Sequence, residues 1–170
     1  MDAIATGLEA VPLTPEAFEP FGIAFPLDCP GSSAPLVSYE RAHPGLDLPR
    51  LTTTRLEPSS LPVRIGRMEY HPYSSQTFIP LSCSRYLIAV APRAVDGAPD
   101  LRQVRCFHGT ARCGVHYAAG VWHASMVALE EPARFAVQMW RGEAVENDVF
   151  LDLAEAITCN GLRGEPGDPT

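Results

Sequence analysis

Seventeen prolines and thirteen glycines are spread along the whole 170-residue chain rather than gathered in one tract. Proline interrupts helices and the inner strands of a sheet, and glycine favours turns, so this spacing divides the chain into many short segments. Such segments favour short strands over long helices. At this length and with 46% hydrophobic residues, one core is expected rather than two. The sequence therefore predicts a single, mostly β domain over residues 1–170.

Short helices are predicted near the two ends of the chain. Thr14 can cap a helix, Pro15 suits its first position, and Gly22 then ends it. Residues 28–49 are rich in turn formers and predict a loop with at most one short strand. The segment LAEAI, residues 153–157, predicts a second short helix before a tail rich in glycine and proline.

The middle of the chain, about residues 51–141, contains six to eight short strand-like segments separated by turns. One of them, LPVRIGRMEYHP, alternates apolar and polar residues but slips near Gly66. The segment FIPLSCSRYLIAVAP, residues 78–92, predicts a hairpin. We expect this core to follow an N-terminal helix and loop (11–50) and to precede a C-terminal tail (154–170). A small β-barrel or jelly roll that holds one ligand in its mouth fits this pattern.

The charge of the chain argues against nucleic acid as a partner. The formal net charge is −7, from 13 basic and 20 acidic side chains, and no Lys/Arg run appears. Such a chain would repel a phosphate backbone. The N-terminus lacks the basic residues of a signal peptide, and no apolar stretch approaches the roughly 20 residues that a membrane span needs. We therefore expect a cytoplasmic protein with no membrane partner.

The cysteines are predicted to be reduced thiols. There are five of them, an odd number, and none forms a CxxC pair: Cys29, Cys83, Cys106, Cys113 and Cys159. A bridge between Cys106 and Cys113 is geometrically conceivable across the turn that separates them. Small buried or half-buried residues are the preferred interpretation.

Three histidines fall on strands that are otherwise apolar: His71, His116 and His123. Glu69 lies two residues before His71, so the two side chains share one face of a strand. This pairing suits proton transfer, or a metal site completed by a carboxylate or Gln76. The third interpretation is structural, with each ring hydrogen-bonded to nearby backbone. The adjacent YSSQ run could bind a carboxylate or a urea group, or could simply close a turn.

Five segments together resemble the ureidoglycolate lyase family: PLTPEAFEPFG, EYHPYSSQTFIPL, YLIAVAP, PDLRQVRCF and GVHYAAGVWHASMVAL. They follow one another in the family's order over about residues 11–153. The resemblance implies a cupin-type β-barrel, usually a homodimer, that splits ureidoglycolate into glyoxylate and urea in purine and allantoin degradation. This cleavage needs one base and one acid and no redox cofactor.

Carried over position by position, seven residues match the family's motifs: Glu69, His71, Ser75 and Gln76 in the first and Tyr117, Trp122 and His123 in the second. His71 or His123 is expected to transfer the proton, and Ser75 and Gln76 are expected to hold the substrate. The catalytic candidates are Glu69, His71, His116 and His123, and the substrate-binding candidates are Ser75, Gln76, Tyr117, Trp122 and Arg141.

The chain departs from the family pattern at four positions. Where fuller members read Y-H-x-G-V-W-H-H-P, this chain has Ala118, Ala124 and Ser125, and Trp140 stands where many members have aspartate. His116 shares a strand face with position 118 and is a candidate to replace the missing histidine.

These departures keep other functions open. One is an enzyme of the same barrel acting on a related α-hydroxy or α-amido acid, and another is a non-catalytic protein that binds a small acid. A divalent metal also stays an open alternative, because imidazole and carboxylate groups are common ligands in such barrels.

Overall fold

Thirteen strands form two sheets in this computed structural model, which describes residues 7–28, 31 and 34–164. The strands are β1 (Leu8–Pro12), β2 (Gly22–Pro26), β3 (Leu48–Leu56), β4 (Pro58–Ser59), β5 (Val63–Tyr70), β6 (Gln76–Ser82), β7 (Arg85–Ala91), β8 (Arg105–Thr110), β9 (Cys113–Tyr117), β10 (Trp122–His123), β11 (Val127–Leu129), β12 (Ala133–Arg141) and β13 (Val149–Leu162). The larger sheet has eight strands in the order β10-β5-β13-β1-β8-β7-β11-β4, and the smaller has five in the order β2-β9-β6-β12-β3. The mostly β prediction is confirmed.

Six strands of the larger sheet close into a ring, because the short strand β10 pairs with both β5 and β7. Every strand of this ring sends apolar side chains into its interior, which is therefore filled rather than open. A second apolar cluster lies on the opposite face of β7 and packs against the five-stranded sheet. The predicted barrel is thus present, and its two apolar clusters include Ile65, Leu87 and Ile157 inside the ring and Phe107 and Phe135 outside it.

The predicted N-terminal helix is confirmed as α1 (Pro15–Phe18), which continues into a 3-10 turn at Glu19–Phe21. The Thr14 hydroxyl accepts a hydrogen bond of 3.2 Å from the backbone N–H of Ala17, so it caps the helix as expected. Gly22 ends the turn with φ of 143°, and a Cβ there would lie 2.0 Å from the carbonyl oxygen of His116. Only glycine fits at this position.

The predicted hairpin at 78–92 is wrong. β6 belongs to the five-stranded sheet, where it pairs with β9 and β12, whereas β7 pairs with β8 in the larger sheet. The short turn between them therefore connects the two sheets. β7 is buried on both faces, which explains its continuous apolar sequence YLIAVA.

The predicted helix at 153–157 is also wrong, because these residues belong to β13. Ile157 and Cys159 are fully buried inside the ring and pair with Ile65 and Val63 of β5. Burial of these side chains outweighs the helix propensity of the LAEAI segment. The strands of the ring thus extend beyond the expected core of 51–141, and the expected tail begins only after Leu162.

The slip predicted near Gly66 is confirmed. Val63, Ile65 and Met68 are buried, while Gly66 and Arg67 are exposed, so the buried face changes from odd to even positions. The partner strand β13 has a matching irregularity between Asp152 and Ile157. Because of this slip, Glu69 faces away from the interior of the ring.

The cysteines of the described residues agree with the prediction of reduced thiols. Cys106 and Cys159 are buried and free, and Cys83 and Cys113 are half-buried and free. Cys29 lies outside the described residues. Among the described residues, no helix has the length and apolar character needed to span a membrane.

Candidate functional site

A cavity of about 350 Å³ lies between the ring at β10 and the inner face of the five-stranded sheet. Its wall contains both polar or charged groups and apolar side chains. Its lining comprises Arg50, Thr52, Thr54, Leu56, Glu69, Gln76, Phe78, Tyr117, His123, Ala124, Ser125, Met126, Val137, Met139 and Arg141. Its size and mixed walls suit one small organic molecule.

The pairing of β10 with β5 places His123 directly opposite Glu69. Trp122, the neighbouring residue, points the other way and fills the ring. His123 Nε2 lies 3.6 Å from Glu69 Oε1, and the ring of His71 is 5.2 Å from that of His123 between centroids. One potential ligand atom from each of the three residues lies within 4.8 Å of the other two. The predicted shared face of Glu69 and His71 is therefore confirmed.

Both imidazole rings are oriented by backbone carbonyls. His71 Nδ1 lies 2.9 Å from the carbonyl oxygen of Asn147, and His123 Nδ1 lies 2.9 Å from that of Val121. A carbonyl can only accept, so each Nδ1 donates its proton and each neutral ring presents a lone pair at Nε2. The two Nε2 atoms are buried and have no hydrogen-bond partner among the described residues. Two basic nitrogens and a carboxylate thus converge.

Burial sets the protonation of this cluster. It lowers the pKa of His123 to about 3, with the charge of His71 adding to the effect and the hydrogen bond to Val121 opposing it. Burial also raises the pKa of Glu69, a shift opposed by His71 and Arg141 and reinforced by Asp148. His123 is therefore a neutral base at neutral pH, and Glu69 holds a proton more readily than an exposed carboxyl group.

Tyr117 and Gln76 add two polar groups to the cavity wall. The Tyr117 ring stacks on His123, with centroids 4.3 Å apart and planes 8° apart. Its buried hydroxyl and the Gln76 Oε1 have no hydrogen-bond partner in the part of the chain that the structure describes. Gln76 Nε2 reaches Met139 Sδ at 3.5 Å, a weak acceptor. Buried polar atoms are normally paired, so these are candidate contacts for a ligand.

Two arginines bring positive charge to the cavity. Arg141 lines it from β12 and Arg50 lines it from β3. Arg141 Nη1 also forms an ion pair with Asp148 Oδ2. Guanidinium groups are well suited to binding a carboxylate. Although the chain as a whole is acidic, its candidate cavity thus carries two guanidinium groups that suit a small anion.

Five of the nine predicted site residues line this cavity: Glu69, Gln76, Tyr117, His123 and Arg141. His71 is not among the lining residues, but it lies against Glu69 and His123 in the cluster described above. The other three lie elsewhere. Ser75 Oγ accepts a hydrogen bond of 2.9 Å from the backbone N–H of Glu40, and Trp122 Nε1 donates one of 3.0 Å to the carbonyl of Gly97.

His116 is the third predicted residue that does not reach the cavity. It neighbours Tyr117 on β9, so the two side chains point to opposite faces of the sheet. Its Nδ1 lies 2.8 Å from Thr77 Oγ1, and burial lowers its pKa while Glu40 raises it. His116 therefore lies on the face of β9 that points away from the cavity.

Five further residues at or beside the site were not predicted from the sequence: Arg50, Thr52, Thr54, Asn147 and Asp148. The first three alternate along β3 and could have been found from the period of two in RLTTT. Asn147 and Asp148 lie in the irregular segment between β12 and β13, where no periodic pattern marks a contact with His71.

The donor set of Glu69, His71 and His123 fits a divalent cation. Two imidazoles and a carboxylate are common ligands of transition metals, and the donated Nδ1–H groups would hold both rings in the ligating tautomer. The same atoms also suit acid/base chemistry without a metal.

Comparison with known proteins identifies relatives over most of the chain. Residues 5–160 match a family profile described as ureidoglycolate lyase. A ureidoglycolate lyase of Burkholderia cepacia is 39% identical over 169 residues, covering 89% of this chain and 93% of that protein. One of Pseudomonas savastanoi pv. phaseolicola is 37% identical over 142 residues, covering 78% of this chain and 82% of that protein.

Two further matches are partial. A ureidoglycolate lyase of Schizosaccharomyces pombe is 40% identical over 97 residues, which cover 55% of this chain and 51% of that protein. The solved oxalate decarboxylase formate complex of Lactobacillus farciminis is 15% identical with a TM-score of 0.43, over 61% of this chain and 26% of that chain. A likeness this loose has no bearing on the chemistry of the site.

Proposed function

Because the chain belongs to the ureidoglycolate lyase family, we propose that it cleaves ureidoglycolate to glyoxylate and urea. The observation that supports this most directly is the convergence of His71, His123 and Glu69, because two of these residues, His123 and Glu69, line a cavity of small-molecule size. The reaction requires a proton to be removed at one atom and supplied at another. A cluster of two imidazoles and one carboxyl group can do both.

Ureidoglycolate is a carbinolamide, which carries a hydroxyl group and a urea nitrogen on the same carbon. His123 Nε2 takes the hydroxyl proton, and the resulting imidazolium lies beside the Glu69 carboxylate. The oxygen then forms the aldehyde double bond as the C–N bond breaks with its electron pair on nitrogen. His71 Nε2 accepts the proton from the His123 imidazolium and passes it to that nitrogen, so glyoxylate and urea leave with both rings neutral again and with atoms and charges balanced.

The remaining wall residues are suited to hold the substrate. Arg141 and Arg50 supply cations for its carboxylate, and the Tyr117 hydroxyl and Gln76 amide can bind the urea group. Ala124 and Ser125, two of the departures from the family pattern, also line the cavity. Their small side chains leave room beside His123.

A divalent cation held by Glu69, His71 and His123 would polarise a substrate oxygen and so assist removal of its proton. With or without such a cation, the two carbonyls orient the imidazole rings, and Arg50 and Arg141 supply positive charge for the substrate carboxylate.

The test is glyoxylate release from ureidoglycolate by the purified protein, with and without a chelator. Turnover that survives chelation would support a metal-free lyase, and turnover lost on chelation and restored by a divalent metal would support a metal-assisted one. Absence of turnover in both conditions and after addition of divalent metals would contradict the proposal.

The wider setting is part of the same proposal. A homodimer is supported by β3, a strand at the edge of its sheet in which seven of nine residues are exposed, a surface that a second copy could cover. Light scattering of the purified protein tests for this dimer.

If ureidoglycolate is the substrate, the reaction belongs to purine and allantoin degradation. The free thiols of the four described cysteines support a cytoplasmic location.

A further inference from the structure

Asp148 contacts two of the site residues at once. It immediately precedes β13, in the segment that connects this strand to β12. Its Oδ2 forms an ion pair with Arg141 Nη1, and its Oδ1 lies 2.9 Å from His71 Nδ1. The His71 proton itself points to the carbonyl of Asn147, so the contact with Asp148 is electrostatic rather than a hydrogen bond. One carboxylate thus lies between the substrate-binding cation and a proton-transfer ring.

The backbone that carries Asp148 is held firmly. The buried side chain of Asn147 accepts a hydrogen bond of 3.0 Å from the backbone N–H of Tyr73 and donates one of 2.8 Å to Ser74 Oγ. These bonds tie the segment before β13 to the turn that directly follows His71. Asp148 and His71 therefore keep a fixed distance, and the carboxylate can define where the flexible Arg141 side chain lies.

We propose that Asp148 is a positioning residue that fixes Arg141 for the substrate carboxylate and places a negative charge beside His71, the proton-transfer ring. This rests on the proposed function of the same cavity. The Asp148 side chain is 34% exposed. Because a solvent-exposed ion pair contributes little to folding stability, the pair with Arg141 should stabilise the fold only slightly. A purely structural role would therefore affect stability slightly and catalysis not at all, whereas positioning affects both binding and turnover.

The experiment compares Asp148→Asn, Arg141→Gln and the double variant, with Asp152→Asn as the matched control. Asp152 forms an equivalent pair with Arg67 but lies on the exposed surface. Asp148→Asn should raise KM and lower kcat, with kcat/KM falling about 10- to 100-fold, while Asp152→Asn leaves both constants unchanged. Asp148→Glu, which keeps the charge, should recover part of the loss.

The double variant tests whether Asp148 acts through Arg141. In the Arg141→Gln background, Asp148→Asn should leave KM unchanged and still lower kcat, because only its effect on His71 remains. Kinetic constants of Asp148→Asn equal to those of Asp152→Asn would overturn the proposal. So would effects on KM that simply multiply in the double variant.

Binding of oxamate, measured by calorimetry, separates this proposal from the proposed function. A wild-type protein that binds oxamate but releases no glyoxylate contradicts the proposed function alone. The positioning role of Asp148 is then tested by the Kd for oxamate. The Kd should rise in Asp148→Asn and should not rise further in the double variant relative to Arg141→Gln. An unchanged Kd in Asp148→Asn overturns the positioning role, and a wild-type protein with neither turnover nor oxamate binding overturns both proposals.

Discussion

At the scale of single residues, the site is defined by buried polar atoms that have no partner in the described part of the chain. The Tyr117 hydroxyl, Gln76 Oε1 and His123 Nε2 are three such atoms, and all three residues line the cavity. Leaving such atoms unpaired costs free energy of folding. A ligand that pairs them recovers this free energy on binding, which is the physical basis for assigning these residues to substrate recognition.

Tyr117→Phe tests this assignment. Removal of an unpaired hydroxyl should leave the free energy of unfolding unchanged or slightly higher, while KM for ureidoglycolate rises about 3- to 10-fold. Tyr86→Phe is the matched control, because the Tyr86 hydroxyl donates a hydrogen bond of 2.7 Å to the carbonyl of Cys113. That variant should lose stability and keep its KM. The opposite pattern would show that the Tyr117 hydroxyl has a structural role.

The depressed pKa of His123 predicts a pH dependence of stability. Its folded pKa of about 3 lies below the ordinary value of 6.5, so the unfolded chain binds a proton that the folded chain does not. The stability that this neutral ring contributes is complete above about pH 6.5 and declines as the pH falls toward 3. Between pH 7 and 5, the wild type should lose about 2 kcal/mol more than His123→Gln in urea unfolding. Parallel pH profiles for the two proteins would contradict the burial of His123 as a neutral ring.

At the scale of elements, the slip in β5 decides where Glu69 and His71 point. Without it, the alternation that buries Val63 and Ile65 would send Glu69 into the apolar interior of the ring. The sequence shows this slip at Gly66, so the shared polar face could be predicted. The compensating irregularity in β13 could not, because LAEAI has the composition of a helix and only the pairing with β5 makes it a strand.

Ile157→Ala tests the position of β13. Ile157 is fully buried in the ring, so its truncation should lower the free energy of unfolding by about 2–4 kcal/mol, measured by urea unfolding. Leu151→Ala, on the same strand but 36% exposed, is the control and should cost much less. Equal small effects would indicate that 153–157 lies outside the core, as the sequence alone suggested.

At the scale of the whole molecule, the site is assembled from segments that are far apart in sequence. The ring contributes Glu69 and His123, the five-stranded sheet contributes Gln76, Tyr117 and Arg141, and no local pattern specifies how the two sheets meet. Motif order could identify six of the site residues. Motif order could not show that His116 points away from the cavity while Tyr117 points into it. That difference depends on the register of β9 against β6, which pairs Tyr117 with Gln76 and His116 with Thr77.

The most direct test of this account is glyoxylate release by His71→Ala and His123→Ala, with His116→Ala as the matched control. The first two should lower kcat/KM at least about 100-fold, far more than they lower thermal stability, since each removes a proton-transfer group. His116→Ala should keep its turnover within a few-fold, since its ring bonds Thr77 outside the cavity. Near-normal rates in both cavity variants, or a loss in His116→Ala equal to theirs at unchanged stability, would contradict the site described here.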